Sequence, residues 1–184
     1  MSSTQGPPAP RPFYLCIDGR TPKARGHFAL FLPNSPSKSP PGSVGTVIHV
    51  VGNPLLGFFH EFKRNFNTAD AKWPGKAVLL GYLLQDVHQD PESEGVWIGN
   101  LAEGVLEREA LEVEVPPRGD VRAPVDGVVN KRCQEWTMEY LRRLVELGYL
   151  EEGVIRIAQE QRDPPTHGIM LRPGTGEKAA LGPS

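Results

Sequence analysis

One amphipathic segment organises the predicted fold, Asn130-Lys-Arg-Cys-Gln-Glu-Trp-Thr-Met-Glu-Tyr-Leu-Arg-Arg-Leu-Val-Glu-Leu147. Its apolar residues recur at spacings of three and four, which is typical of a helix with one face against a core. These residues are Cys133, Trp136, Tyr140, Leu141, Leu144, Val145 and Leu147. Gly148 supplies a stop, and the cations Arg142 and Arg143 suit a helix C-terminus. The pattern predicts a helix over 130–147.

Four apolar segments upstream of this helix predict strands: Pro12–Ile17, His27–Leu32, Gly45–Gly52 and Ala77–Leu84. They are short, rich in β-branched or aromatic residues, and bounded by glycine, proline or Asp-Gly. The Pro/Ser/Gly loop from Pro33 to Ser43 joins the second and third strands, so we expect these two to pair in antiparallel fashion.

Two further segments have mixed patterns. Val154–Ala158 fits a strand or a second short helix, and Val96–Val115 fits a helix followed by a strand at Leu111–Val115. The fold predicted from all these elements is a single α+β domain, with a small antiparallel sheet packed on the cysteine-bearing helix.

Composition sets the domain organisation. A chain of 184 residues can bury a core without disulfides or metal ions, and 20 glycines with 19 prolines argue against a helical bundle. Polar, proline-rich ends predict disordered tails at 1–11 and 173–184, which leaves one domain over 12–172.

Charge and hydropathy limit the partners. With 20 Lys+Arg against 22 Asp+Glu, the chain does not have the basic balance of a dedicated nucleic-acid binder. It also has no apolar run that reads as a signal peptide or a membrane span, so we predict a cytoplasmic protein with reduced thiols.

The two cysteines differ in setting. Cys133 follows Lys131 and Arg132 at the predicted helix start, where the helix dipole and both cations are expected to lower the pKa of a thiol. The N–H groups there suit the oxyanion of a tetrahedral intermediate. The alternative is that Cys133 is a small buried hydrophobe, as most free cysteines are. Cys16 lies inside a strand and is expected in the core.

The five histidines also differ in their predicted positions. His27 and His49 lie on neighbouring predicted strands, about 4.8 Å apart, so their rings can come together. An activated thiol needs a histidine base and a third polar group that orients it. His60, His88 and His167 are expected in surface loops. Neither a metal site nor a cofactor is predicted, because the familiar ligand spacings and nucleotide motifs are missing.

The segment Gly52–Phe66 mixes phenylalanines with charged residues. It fits a lid or substrate wall in which Glu61, Lys63 and Arg64 recognise polar ends of a substrate. The alternative is a strand or helix that contributes phenylalanine to the core. Further candidate substrate contacts are Trp136 and Asn130, which lie close to Cys133 in sequence.

Three stretches carry a family resemblance: His27-Phe-Ala-Leu-Phe-Leu32, Gly45-Thr-Val-Ile-His49-Val, and the stretch that begins Cys133-Gln-Glu-Trp. They resemble the lecithin:retinol acyltransferase family, a branch of the circularly permuted, papain-like, NlpC-type thiol peptidases. Members carry His-Trp-Ala-Ile-Tyr, a glycine-led strand with a second histidine, and Asn-Cys-Glu-His-Phe at a helix start. In this chain Arg132 replaces the asparagine before the cysteine.

The resemblance implies a permuted papain-like fold in which Cys133 is the nucleophile, His27 its base and His49 the group that supports the base. The expected activity is acyl transfer or hydrolysis through a Cys133 thioester, on a small-molecule ester, thioester or amide. One alternative is peptide-bond formation from an activated aminoacyl donor such as charged tRNA, for which the basic, Phe-rich segment is the only local support. Another alternative is a non-catalytic module that binds a small ligand or peptide. The oligomeric state stays open.

Overall fold

The computed structural model describes residues 10–35, 44–69 and 73–169. Its strands are β1 Pro12–Asp18, β2 His27–Pro33, β3 Val44–Asn53, β4 Gly57–Asn67, β5 Lys76–Tyr82 and β6 Trp97–Gly99. Its helices are α1 Val105–Leu111, α2 Cys133–Glu146 and α3 Gly153–Gln159. These elements confirm the α+β class.

The six strands form one sheet in the order β5-β1-β2-β3-β4-β6, and every neighbouring pair is antiparallel. The expected pairing of β2 with β3 is confirmed, with Leu30 opposite Ile48. All four predicted strands are present, close to their predicted bounds.

Three segments settle the mixed patterns. Gly52–Phe66 supplies most of β4, so the strand alternative is the correct one. Val154–Ala158 lies within α3 and is helical. The strand predicted at Leu111–Val115 is wrong. The carbonyl of Val113 accepts hydrogen bonds from the side chains of His60 and Trp136, and none of the described strands pairs with this segment.

Side-chain alternation gives the sheet two different faces. Phe28 and Leu30 of β2 belong to the large core that also contains Trp136 and Leu141 of α2. The opposite face carries a smaller cluster of Cys16, Ala29, Phe31 and Val47. The expected burial of Cys16 is confirmed, since it is 1% exposed and burial raises the pKa of its thiol to about 12.

Helix α2 begins three residues later than predicted because a tight turn precedes it. The Asp126 carboxylate accepts the backbone N–H groups of residues 128 to 130, and the Asn130 amide donates to the carbonyls of Asp120, Ala123 and Pro124. The predicted stop at Gly148 is confirmed. It has φ of +72° and donates to the Val145 carbonyl, which is the usual glycine termination of a helix.

The ends of the predicted domain are only partly within the described ranges. The tail predicted at 173–184, most of the one at 1–11, and residues 170–172 lie outside them. Arg11, which we expected in the tail, binds Asp90 and accepts the N–H of Leu83 through its carbonyl. Within the described ranges, no helix combines the length and apolar character that crossing a bilayer requires.

Candidate functional site

The candidate site lies where the N-terminus of α2 meets the start of β2. The backbone N–H and C=O groups of alternate residues in a strand point to the same edge. Those of Gly26 and Phe28 point towards the start of α2 and the segment at Asp163. Gly26 donates to Asp163 Oδ2 at 2.8 Å and accepts from Gln134 Nε2 at 2.8 Å, and the backbone N–H of Phe28 interacts with the Cys133 sulfur and lowers the pKa of its thiol. β3 pairs with β2 only from Leu30 onward, and Gly26, just before β2, is bonded by Gln134 of α2. The thiol therefore lies beside the residue that follows His27.

The Cys133 thiol is protonated at neutral pH. Burial raises its pKa and the nearby Glu135 carboxylate adds to this, while the N–H of Phe28 and the Arg25 guanidinium oppose the increase only in part. The sequence-based expectation of a lowered pKa was wrong. Desolvation outweighs the helix start, and the Lys131 ammonium pairs with Glu139 at 2.7 Å.

His27, His49 and Glu61 form one hydrogen-bonded chain, which we call the histidine relay. His27 Nε2 lies 2.8 Å from His49 Nδ1, and His49 Nε2 lies 3.0 Å from Glu61 Oε1. The three strands β2, β3 and β4 position these side chains on one face, with His49 directly opposite Glu61. The predicted proximity of the two imidazoles is therefore observed, and Glu61 is their third partner.

The relay dictates where the protons lie. Burial is the largest cause that lowers the pKa of His49, to about 2, and of His27, and the Lys63 cation lowers both further, so both rings are neutral at pH 7. A carboxylate can only accept, so His49 carries its proton on Nε2. Its Nδ1 then accepts from His27 Nε2–H. This leaves Nδ1 of His27 as an unprotonated nitrogen, which is the form that a general base requires.

The thiol and the relay approach the start of β2 from different sides. His27 and His49 share the sheet face of Ala29 and Val47, whereas α2 packs on the face of Phe28. Within the described part of the chain, no hydrogen bond joins Cys133 Sγ to either imidazole, and the backbone N–H groups of Phe28 and Gln134 lower the pKa of the thiol. Catalytic contacts are often longer than hydrogen-bond distance before substrate is bound.

Residues 13–151 match DUF6540, which is described as a family of unknown function. The chain belongs to this family. No curated protein and no solved structure matches the chain. The DUF6540 match spans the whole relay and Cys133, but it ends before α3 and Asp163.

Three of the predicted substrate contacts of this DUF6540 protein make contacts within the fold. Arg64 is buried, binds Glu107 and lies over the Trp97 ring at 4.1 Å. Trp136 has no exposed surface, and its indole N–H donates to the Val113 carbonyl. Asn130, as described above, holds the turn before α2. Trp136 has no surface to offer a substrate, whereas Arg64 also lines a cavity with His88 and Asp90.

The remaining two predicted contacts lie at the relay. Glu61 is its terminal acceptor, and Lys63 Nζ lies 3.4 Å from the same Glu61 oxygen. Lys63 is half-buried and is the cation that disfavours protonation of both histidines. These two residues therefore act on the electrostatics of the imidazoles.

Two of the other three histidines depart from the expected surface loops. His60 lies in β4, donates to the Val113 carbonyl and packs edge-on against Trp136. His88 is buried, and burial is the main cause that lowers its pKa to about 4. His167 lies in a turn, as expected, and binds the carbonyls of Thr21 and Ala24. Within the described ranges, no three His, Cys, Asp or Glu residues are grouped so as to hold a metal ion.

A polar cluster that sequence reasoning missed attaches α2 to the loop before β2. Gln134 is fully buried and bonds Gly26, Asp163 and Arg25, and Glu135 binds Arg25 at 2.8 Å. Glu135 also accepts the N–H of Arg132 at 3.0 Å, a helix-start contact that its position three residues after the cap could have indicated. No such signal marks Asp163, which is distant in sequence.

Proposed function

We propose that this protein is a cysteine-dependent acyltransferase or hydrolase, with Cys133 as nucleophile and His27 as general base. The observation that carries the proposal is the histidine relay. It leaves Nδ1 of His27 unprotonated, on the residue next to Phe28, whose backbone N–H lowers the pKa of the Cys133 thiol. A neutral thiol and a neutral imidazole are the protonation states from which general-base activation starts.

In the first half-reaction, Nδ1 of His27 takes the thiol proton as Cys133 Sγ attacks the carbonyl carbon of an ester, thioester or amide. The His27 imidazolium is then stabilised through His49 by the Glu61 carboxylate. Collapse of the tetrahedral intermediate breaks the bond to the leaving group, which receives the proton from His27. The product of this step is a Cys133 thioester.

In the second half-reaction, His27 removes a proton from water or an amine as that acceptor attacks the thioester carbonyl. The bond between carbon and sulfur breaks, and Sγ regains the proton from His27. N–H groups at the start of α2 and that of Phe28 can donate to the oxyanion in both steps, because they lie around the sulfur. The chemistry is the same for hydrolysis and for transfer, and only the acceptor differs.

A permuted papain-like arrangement is part of this proposal. Its support is the order of the elements: two histidine-bearing strands precede a helix that begins at the cysteine and packs on their sheet. The antiparallel sheet and the N-terminal position of Cys133 on α2 are compatible with that arrangement.

The experiment is intact-mass analysis after incubation with p-nitrophenyl acetate and with an acyl thioester. The wild-type protein and Cys16→Ala should each gain one acyl group, whereas Cys133→Ser should gain none. His27→Asn should acylate at least about tenfold more slowly, since general-base catalysis typically contributes more than that. Either no adduct on Cys133, or equal acylation rates in wild type and His27→Asn, would contradict the proposal and favour a non-catalytic binding module.

A further inference from the structure

The start of α2 carries more positive than negative charge. We call Arg20, Arg25, Arg132 and Arg162 the arginine cluster. Two carboxylates face it, and both are already bound. Glu135 binds Arg25 at 2.8 Å and Arg162 at 2.6 Å, and Asp163 binds Arg20 at 2.9 Å.

Arg132 is the member of the cluster that these carboxylates leave unmatched. It is half-buried, and two of its three guanidinium nitrogens, Nε and Nη2, are buried without a hydrogen-bond partner. Across the described ranges, Arg132 makes no ion pair. Buried donors without partners are rare, and each is costly unless an ion or a ligand satisfies it.

The groups around Arg132 also favour the binding of an anion there. Burial and the neighbouring Arg25 cation both disfavour its charged form, and Glu135 offsets them only in part. Glu135 already accepts bonds from Arg25, from Arg162 and from the backbone N–H of Arg132. These carboxylates therefore leave the two Arg132 nitrogens available to a group from outside this cluster.

An anion bound by Arg132 would lie close to the Cys133 thiol. Arg132 is the N-cap residue of α2, directly before Cys133, and its charge interacts with the Cys133 sulfur. An anion held there would also face the N-terminus of a 14-residue helix, where backbone N–H groups favour negative charge. A guanidinium fork matches the oxygens of a carboxylate or a phosphate.

We infer that Arg132 binds an oxyanion group, carboxylate or phosphate, on the molecule that reacts at Cys133. The preferred acyl compound then carries a negative charge close to its reacting carbonyl. The assignment of that molecule as an acyl donor rests on the proposed function, whereas the recognition of an anion beside the thiol does not.

The test compares the alkylation rates of Cys133 by iodoacetate, an anion, and by iodoacetamide, its neutral analogue. Both rates depend equally on the thiolate fraction, so their ratio cancels any change in the pKa of the thiol. All variants carry Cys16→Ala, and alkylation is followed by intact mass at low ionic strength.

We expect the iodoacetate to iodoacetamide ratio to fall about tenfold in Arg132→Gln, the effect of losing one charge a few ångströms away in a partly buried site. Arg132→Lys should keep most of the ratio. Lys131→Gln is the matched control, because Lys131 is bound to Glu139, and it should change the ratio less than about twofold. Inorganic phosphate and acetate, added separately, should slow the iodoacetate reaction of the wild type and thereby show which oxyanion is preferred.

An Arg132→Gln ratio equal to that of the wild type would overturn the inference, and so would an equal fall in Lys131→Gln. An unchanged near-UV circular dichroism spectrum of Arg132→Gln shows that the protein is still folded, and Arg132→Lys provides a second folded variant. If the ratio changes as expected but no acyl adduct forms with any donor, anion recognition stands and the proposed acyl chemistry fails. If an acyl adduct forms on Cys133 but the ratio does not change, anion recognition is refuted and the proposed acyl chemistry stands.

Discussion

Glu61 should control which nitrogen of His27 carries the proton. It accepts from His49 Nε2 at 3.0 Å, and this bond fixes the tautomers of both imidazoles. Two substitutions separate its functions. Glu61→Gln removes the charge but keeps an oxygen that can accept, whereas Glu61→Leu removes both the charge and the acceptor.

The structure sets the size of each effect. The two hydrogen bonds and the width of the His49 ring put the Glu61 charge about 8 Å from the His27 ring. With an effective dielectric constant of about 40 for a pair that is partly open to solvent, one charge at that distance is worth about 1 kcal/mol. Loss of this stabilisation of the His27 imidazolium should slow acylation about fivefold in Glu61→Gln. Glu61→Leu should slow it further, because the unpaired His49 Nε2–H costs about 1–3 kcal/mol and the tautomer is no longer fixed.

The assay is long-range ¹⁵N–¹H correlation NMR of the imidazole rings, which distinguishes a protonated Nδ1 from a protonated Nε2. Wild type and Glu61→Gln should show both His27 and His49 protonated on Nε2 at pH 7. Glu61→Leu should populate the form of His27 that is protonated on Nδ1. Acylation by p-nitrophenyl acetate in single-turnover conditions then supplies the rates for the same three proteins.

Two results would refute this reasoning. One is a wild-type protein in which His27 is protonated on Nδ1, since that nitrogen could not act as the base. The other is a Glu61→Leu protein with wild-type tautomers and a wild-type acylation rate, since the relay would then have no influence on His27.

Three further predictions concern pH and stability. Because burial raises the pKa of the Cys133 thiol, its alkylation by iodoacetamide should rise continuously from pH 7 to 9, and a plateau near neutral pH would show a preformed thiolate. Since the pKa of His49 is about 2 in the folded state and 6.5 as its ordinary value, unfolding takes up a proton below pH 6.5. Stability should therefore fall by up to about 1.4 kcal/mol per pH unit below 6.5, and urea unfolding of His49→Gln should show a smaller slope. Arg64→Ala should destabilise the fold by about 3–5 kcal/mol in urea unfolding by leaving the buried Glu107 unpaired, and a loss below about 1 kcal/mol would contradict the buried ion pair.

Local patterns were sufficient for most of the secondary structure. The periodicity of α2 and the apolar runs of four strands predicted their elements because hydrophobic spacing reflects which faces are buried. The same reasoning failed at Leu111–Val115. Alternating residues there resemble a strand, but the Val113 carbonyl is bound by two side chains from elsewhere in the fold.

The candidate site was also predicted only in part from the sequence. The sequence indicated Cys133 at a helix start and two histidines on adjacent strands, since both follow from local spacing. It also indicated a lowered thiol pKa, which is wrong because desolvation depends on what packs around the sulfur. The sequence pattern likewise did not indicate that Arg64 and Trp136 are buried, and their substrate contacts stay predictions.

By itself, the sequence determined the α+β class, the strands β2 and β3 that carry His27 and His49, and the helix that begins near Cys133. Only the tertiary structure decided that Glu61 completes the relay, that Asp163 and Gln134 hold the start of β2 against α2, and that Arg132 lacks a partner. The physical reason is the distance along the sequence over which each interaction acts. Periodicity and turn chemistry act over a few residues, whereas proton positions, desolvation and charge balance depend on groups that only folding brings together.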